Sequence, residues 1–184
     1  MVLIIEGCAL TGKQTLARYL QRDLPHFHWL PFNISPVADV HAILSAWITK
    51  HTAQDHLVVD FHLHHAVVHG KGGDGGLSDF DFWRIDHALA QHAVALVLLM
   101  DDPYDIAARV RAQLPTIPQL ASLATPEGVG EVQNQFQRYL ERSAIVSKWS
   151  FGLDQLGMLN DEGIWQPTTT YERLVALLQE DTGV

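Results

Sequence analysis

Residues Gly7-Cys8-Ala9-Leu10-Thr11-Gly12-Lys13 follow the apolar run Val2 to Ile5 at an interval of one residue, Glu6. Helical spacing of Leu16, Tyr19, Leu20 and Leu24 begins directly afterwards and stops at Pro25. The pattern G-x-x-x-x-G-K between a buried strand and a helix constrains the chain more than any other stretch. Its glycines allow the backbone to curl so that successive N–H groups point at one anion. The helix that follows adds its positive N-terminal end, and Lys13 adds a point charge. Average composition supplies such a match by chance about 0.05 times in a chain of this length, and roughly five times less often with strand and helix required. The loop is therefore read as a phosphate cradle, with Gly7, Cys8, Ala9, Leu10, Thr11, Gly12, Lys13, Gln14 and Thr15 as the nucleotide-binding candidates. Gln14 stands where this pattern ordinarily carries a Ser or Thr hydroxyl for Mg²⁺. The metal candidates are accordingly Gln14, Thr15 and Asp60.

Further apolar runs alternate with helical periodicity. Strands are expected at His28 to Phe32, Leu57 to Asp60, Ala93 to Met100 and near Trp149 to Leu153. Helices are expected at Val37 to Thr49, Phe80 to His92, Asp102 to about Gln113, about Glu131 to Ser147 and Tyr171 to Glu180. Pro115, Pro118, Pro126, Gly128 and Gly130 read as a break, and 71–76 as a glycine-rich loop with no strand feeding it. This alternation predicts an α/β fold of three layers, a parallel sheet with helices on both faces, in one domain spanning 1–184. Ligands of such sheets sit outside the carboxyl ends of the strands. That rule aligns the phosphate loop, Asp60 and Asp101/Asp102 along one edge.

The net charge of −9 argues against a general nucleic-acid binder, which needs a basic surface, while a phosphorylated small ligand needs few cations. Apolar stretches are too short for a signal peptide or a membrane span, and the single cysteine, Cys8, suits a reducing compartment. A cytoplasmic protein without a membrane partner is expected.

Three stretches carry a resemblance. Ile5-Glu6-Gly7 leading to Thr11-Gly12-Lys13-Gln14-Thr15-Leu16 resembles the start of P-loop kinases of the thymidylate kinase and deoxynucleoside kinase group. Val58 to Gly70 is similar to a D-R-x-H-L-S-E-x-V-Y-G stretch of phage and bacterial members. Leu96 to Pro103, with Arg109 and Arg111 beyond it, is similar to the group's fourth strand and arginine-bearing helix before a lid. The chain thus looks like a divergent, phage-like member with the three-layer P-loop NTPase fold. The resemblance implies ATP and Mg²⁺ as cofactors, Lys13, Asp60, Arg109 and Arg111 as catalytic residues, and 114–130 as a lid-like segment. Three departures concern the same chemistry: Gln14, Phe61 in place of an arginine, and a lid free of arginine.

The expected activity is transfer of the ATP γ-phosphate to a nucleoside, a nucleoside monophosphate or a related modified-nucleotide hydroxyl. The partners are then a nucleoside triphosphate donor and a nucleoside or nucleotide acceptor, with DNA only where a modified base is the acceptor. A homodimer is compatible with the sequence. The competing class is a non-catalytic nucleotide-binding protein that keeps the fold. Other features are read more plainly. His62, His65 and His69 would share a helix face at zinc-compatible spacing, but nothing completes a site. Glu6 reads as a structural strand-end residue, Cys8 as loop filler whose pKa the amides and Lys13 could lower, and the tryptophans as core, with Trp83 or Phe80 available to stack on a base.

Overall fold

Alternate residues of three adjacent strands divide the interior into two packed halves. A computed structural model describes residues 1–32, 39–68, 76–159 and 165–181. The main sheet comprises β1 (Val2–Gly7), β2 (His28–Trp29), β3 (His56–Val59), β4 (Val94–Met100) and β5 (Ser147–Gly152). Its order is β2-β3-β1-β4-β5, and every pair is parallel. Val2, Ile4, Val58, Leu96 and Leu98 face one side. There they meet α2 (Val40–His51), α3 (His62–Val67), α4 (Asp79–Leu89) and α6 (Pro126–Arg142). Leu3, Ile5, Leu57, Val59, Ala95, Val97 and Leu99 face the other side, against α1 (Lys13–Asp23) and α8 (Thr169–Asp181). Strands buried on both faces must be apolar at every position, which is why they read as runs rather than as alternations. The fold is the expected three-layer α/β arrangement.

Several boundaries differ from the expectation for identifiable reasons. α6 starts at Pro126, not near Glu131. Pro126 occupies its first turn, where a missing N–H costs nothing, and the Thr125 side chain accepts from Gly128 N. Gly128 is no breaker: a Cβ there would lie 2.1 Å from the Ser122 carbonyl oxygen, so the first turn of α6 needs a glycine to pack on the preceding 3-10 turn Pro118–Leu123. α6 ends at Arg142 rather than Ser147, and β5 takes over Ser147 itself. β2 is only His28–Trp29. α1 begins at Lys13, inside the phosphate-loop motif. α5 (Pro103–Gln113) follows the expectation, with the Asp102 side chain accepting from Tyr104 N. Four elements were not foreseen: α3, the one-turn α7 (Leu153–Leu156), and the antiparallel strands β6 (Gly157–Leu159) and β7 (Trp165–Pro167). Most of the glycine-rich loop and His69 lie outside the described residues.

The topology places the site. From β1 the chain leaves toward β2 at the far edge; from β3 it crosses β1 to reach β4. Connections therefore depart in opposite directions from the carboxyl ends of neighbouring β1 and β3. A crevice opens at such a switch point. The loop after β1 and the turn after β3 form its two walls.

Candidate functional site: the loop after β1 facing Asp60

Backbone conformation shapes the loop first. Gly12 has φ 86°, Leu10 has φ 63°, and Gly7 has φ 144°. A side chain at Gly7 would press on the Leu99 carbonyl oxygen at 2.4 Å, so this glycine lets β1 turn away while still paired to β4. At Gly12 a Cβ would meet Leu153 Cδ2 at 2.5 Å. Leu10 holds the left-handed conformation without glycine's freedom, a strained state for a leucine. Its carbonyl accepts a 2.7 Å hydrogen bond from Arg109 Nη1, while Arg109 Nη2 donates to the Asp101 carboxylate. Thr11 closes the loop internally, its hydroxyl donating to the Cys8 carbonyl at 2.9 Å.

Lys13 is buried at the start of α1. Its ammonium donates to the Gly7 and Cys8 carbonyls at 2.7 and 2.5 Å and lies 3.2 Å from Asp60 Oδ1. Asp60, immediately after β3, has φ 59°, and its N–H donates to the Ile5 carbonyl at 3.0 Å. Aspartate is among the residues that tolerate this backbone region. Burial pushes its carboxyl up, with Lys13 pulling the other way. His64 Nδ1 lies 3.4 Å from the same oxygen.

Glu6 fixes the turn from below. It is fully buried and accepts from the N–H groups of Phe61, Leu63 and His64 at 3.1, 3.0 and 3.2 Å. It thereby satisfies donors that the start of α3 would otherwise leave unpaired. Burial, and next the Asp60 charge, hold its carboxyl well above the usual range despite those bonds and Lys13. Glu6 thus has the structural role read from the sequence.

Next to Asp60 a cleft of about 510 Å³ is lined by Gln14, Gln21, Trp29, Pro31, Phe32 and Val59. Gln14 and Asp60 both line it, so an amide oxygen and a carboxylate are available there. Mg²⁺ takes oxygen ligands, commonly one or two carboxylates completed by phosphate oxygens and water. Those two residues suit it. Among the described residues no group of three or more His, Cys, Asp and Glu side chains could hold a metal by itself. Of the histidine face, His62 Nε2 lies 3.2 Å from Asp86, His65 is buried with its ring edge-on to Phe32, and His69 lies outside the described residues.

The remaining candidates separate. Arg109 reaches the loop, whereas Arg111 donates to the Ala124 carbonyl at 2.8 Å, tying α5 to the segment before α6. Thr15 lies half-buried on the first turn of α1. Phe61 is fully buried, its ring 4.6 Å from those of Trp47 and Phe32, so the position that carries arginine in the resembled group is core here. Cys8 is buried beside Ile106, Ala107 and Val110, and burial raises its thiol pKa, outweighing Lys13. The expectation that the loop could lower it is reversed. Trp83 lies under the Arg142 guanidinium at 4.9 Å, and Phe80 is exposed beside Arg84. The aromatic rings at the cleft are instead Trp29 and Phe32. The rule that ligands bind at carboxyl ends of strands could have found Trp29, the last residue of β2.

The chain is similar in structure to the YorR protein of Bacillus subtilis, crystallised in complex with phosphorylated GDP. The TM-score is 0.69 with 14% identity, covering 100% of this chain and 99% of that one. A gluconokinase from Sinorhizobium meliloti matches with a TM-score of 0.41 and 11% identity over 81% of this chain and 80% of that one. No protein-family model matches the chain, and no curated protein matches it in sequence. At such identity, the likeness to YorR establishes a shared fold along the whole length.

Proposed function

We propose that this protein transfers the γ-phosphoryl group of ATP to a hydroxyl of a nucleoside, a nucleoside monophosphate or a related modified nucleotide. The observation that carries the reading is the pairing of Lys13 with Asp60 across the switch-point crevice, at the mouth of a partly aromatic cleft. Phosphoryl transfer asks little covalent chemistry of a protein; it asks for positioning and for charge aimed at the moving group. In this reading the backbone N–H groups of Gly7 to Gly12 cradle the donor phosphates. Lys13 exchanges its loop carbonyls for phosphate oxygens. Asp60, released from Lys13, orients the acceptor hydroxyl and accepts its proton. Trp29 and Phe32 hold a flat ring in the cleft, and Gln21 offers it an amide.

Asp60 and Gln14 would hold Mg²⁺, with Thr15 adjacent, and the ion would supply charge neutralisation at the donor phosphates. Arg109 steadies the loop through Leu10. Arg111 and the segment 114–130 would act as the lid that closes over the donor. The complex of YorR with phosphorylated GDP supports a nucleotide ligand for this architecture. None of the described residues that line the cleft is Lys or Arg, which favours an acceptor presenting an uncharged ring there. DNA enters only if a modified base is that acceptor.

Labelled ATP incubated with nucleosides, nucleoside monophosphates and modified-base DNA tests the reading. Transfer to one class with Mg²⁺ dependence is expected. ATP binding without transfer to any of them would instead establish the non-catalytic reading, favoured by Gln14 at the hydroxyl position and by Phe61 in the core.

A further inference from the structure

A second buried polar system begins where the site ends. His62, the first residue of α3, is fully buried, and its ring lies parallel to Phe82 at 5.3 Å and 7°. Nδ1 faces Glu6 Oε1 at 3.8 Å, too long for a hydrogen bond but close for two groups out of water. Nε2 lies 3.2 Å from Asp86 Oδ1 on α4. Asp86 is also fully buried and is held from the far side: Ser143 Oγ donates to Oδ1 and Ala144 N to Oδ2, both at 2.6 Å. Burial pushes the Asp86 carboxyl up, yet the bonds from His62, Ser143 and Ala144 outweigh it and hold it below the usual value. One line of side chains thus joins the end of β1, the start of α3, the middle of α4 and the junction between α6 and β5. His62 Nδ1 makes no hydrogen bond, so its approach to Glu6 is set by the bond of Nε2 to Asp86 and by the stack on Phe82.

We propose that His62 is a positioning residue: held by Asp86 and Phe82, its ring packs against Glu6, confines the carboxylate that caps α3 and so keeps Asp60 in its left-handed turn opposite Lys13. Phe61, Leu63 and His64 donate to Glu6, and Asp60 immediately precedes them, so a Glu6 side chain that shifts releases the turn on the C-terminal side of Asp60. Phe82 sets the ring plane, and Asp86 sets the rotation of the ring within it. The geometric claim stands alone. The catalytic consequence rests on the assignment of Asp60 to the acceptor hydroxyl.

The test compares His62→Phe, His62→Gln and Asp86→Asn with the parent by amide hydrogen exchange and steady-state kinetics. His62→Phe keeps a flat ring on Phe82 and removes both nitrogens; His62→Gln retains an amide N–H within reach of Asp86. Exchange at Leu63 and His64 should accelerate at least tenfold in His62→Phe and in Asp86→Asn, and by less in His62→Gln. Turnover should fall about tenfold in His62→Phe with KM for ATP within twofold, and His62→Gln should recover part of the loss. If His62→Phe fails to fold, Asp86→Asn and His62→Gln carry the same comparison. Unchanged exchange at Leu63 and His64 in folded variants overturns the lock. Accelerated exchange with parental turnover overturns its coupling to Asp60. Accelerated exchange in a protein that phosphorylates no acceptor keeps the lock and counts against the kinase reading.

Discussion

Asp60 combines a strained backbone, partial burial and a lysine partner, and each property bears on what a substitution would do. Asparagine tolerates the left-handed region almost as well as aspartate, and a neutral amide avoids the burial that raises the Asp60 carboxyl. Asp60→Asn should therefore fold as well as the parent and bind ATP with similar affinity. Turnover should fall at least tenfold, because a lost base acts mainly in the transition state. Kinetics with the identified acceptor, alongside calorimetric ATP binding, check both halves; normal turnover would remove Asp60 from the chemistry. Asp101, paired with Arg109, and Glu6, committed to three amides, are then poorly placed to replace it. Glu6 itself gives a pH signature. Its folded pKa lies well above the ordinary 4.5, with burial the main cause. A carboxyl shifted in that direction contributes stability below its unfolded pKa and loses it as pH rises through the folded one. The melting temperature of the parent minus that of Glu6→Gln should thus be largest at or below pH 4.5 and shrink as pH rises. A difference that grows with pH would mean that the three amides, not burial, dominate.

At the scale of elements, the two loop glycines answer to different neighbours. A Cβ at Gly7 meets the backbone oxygen of Leu99 in β4, which cannot yield without parting the two central strands. One at Gly12 meets the side chain of Leu153 in α7, which can rotate. Both positions also have φ values that L-residues rarely adopt. Gly7→Ala should cost about 3 kcal/mol or more of stability, and Gly12→Ala about 1–2 kcal/mol. Urea unfolding would measure both, and an equal cost would show that backbone strain alone sets it. Gly12→Ala should still lose much of its ATP affinity, since the loop amides move with the residue.

For the whole molecule, a ligand that binds only the folded state stabilises it by mass action. Mg²⁺·ATP at a hundred times its dissociation constant contributes about 2.7 kcal/mol. In a chain of this size that corresponds to a rise of about 5–10 °C in melting temperature. Lys13→Ala should remove most of that rise while the ligand-free protein stays folded, because the lysine bonds loop carbonyls and Asp60 rather than the apolar core. A parental shift in Lys13→Ala would sink the phosphate-loop assignment. None of the helices among the described residues is long and apolar enough to cross a membrane. Neither the fold nor the likeness to YorR carries a homodimer.

The loop between β1 and α1, the parallel sheet and the edge on which Asp60 lies were all legible in the residues. Those features follow from local rules: glycine spacing, unbroken apolar runs and the alternation of strand with helix. α3 was not legible, because six residues rich in histidine have no amphipathic period long enough to detect. Gly128 misled for a related reason, since a glycine required by the close approach of Ser122 looks like a glycine that ends a helix. Phe61, Trp29 and Phe32 could be ranked only once packing had sent the first into the core and the others to the cleft. The line from Glu6 through His62 to Asp86 joins residues 56 and 24 positions apart, and no local pattern encodes such a pairing. Sequence spacing determined which chemistry the β1 loop can present. The tertiary structure decided which carboxylate faces it and which is sealed beneath it, because burial and partner geometry depend on elements that meet only when the chain has folded.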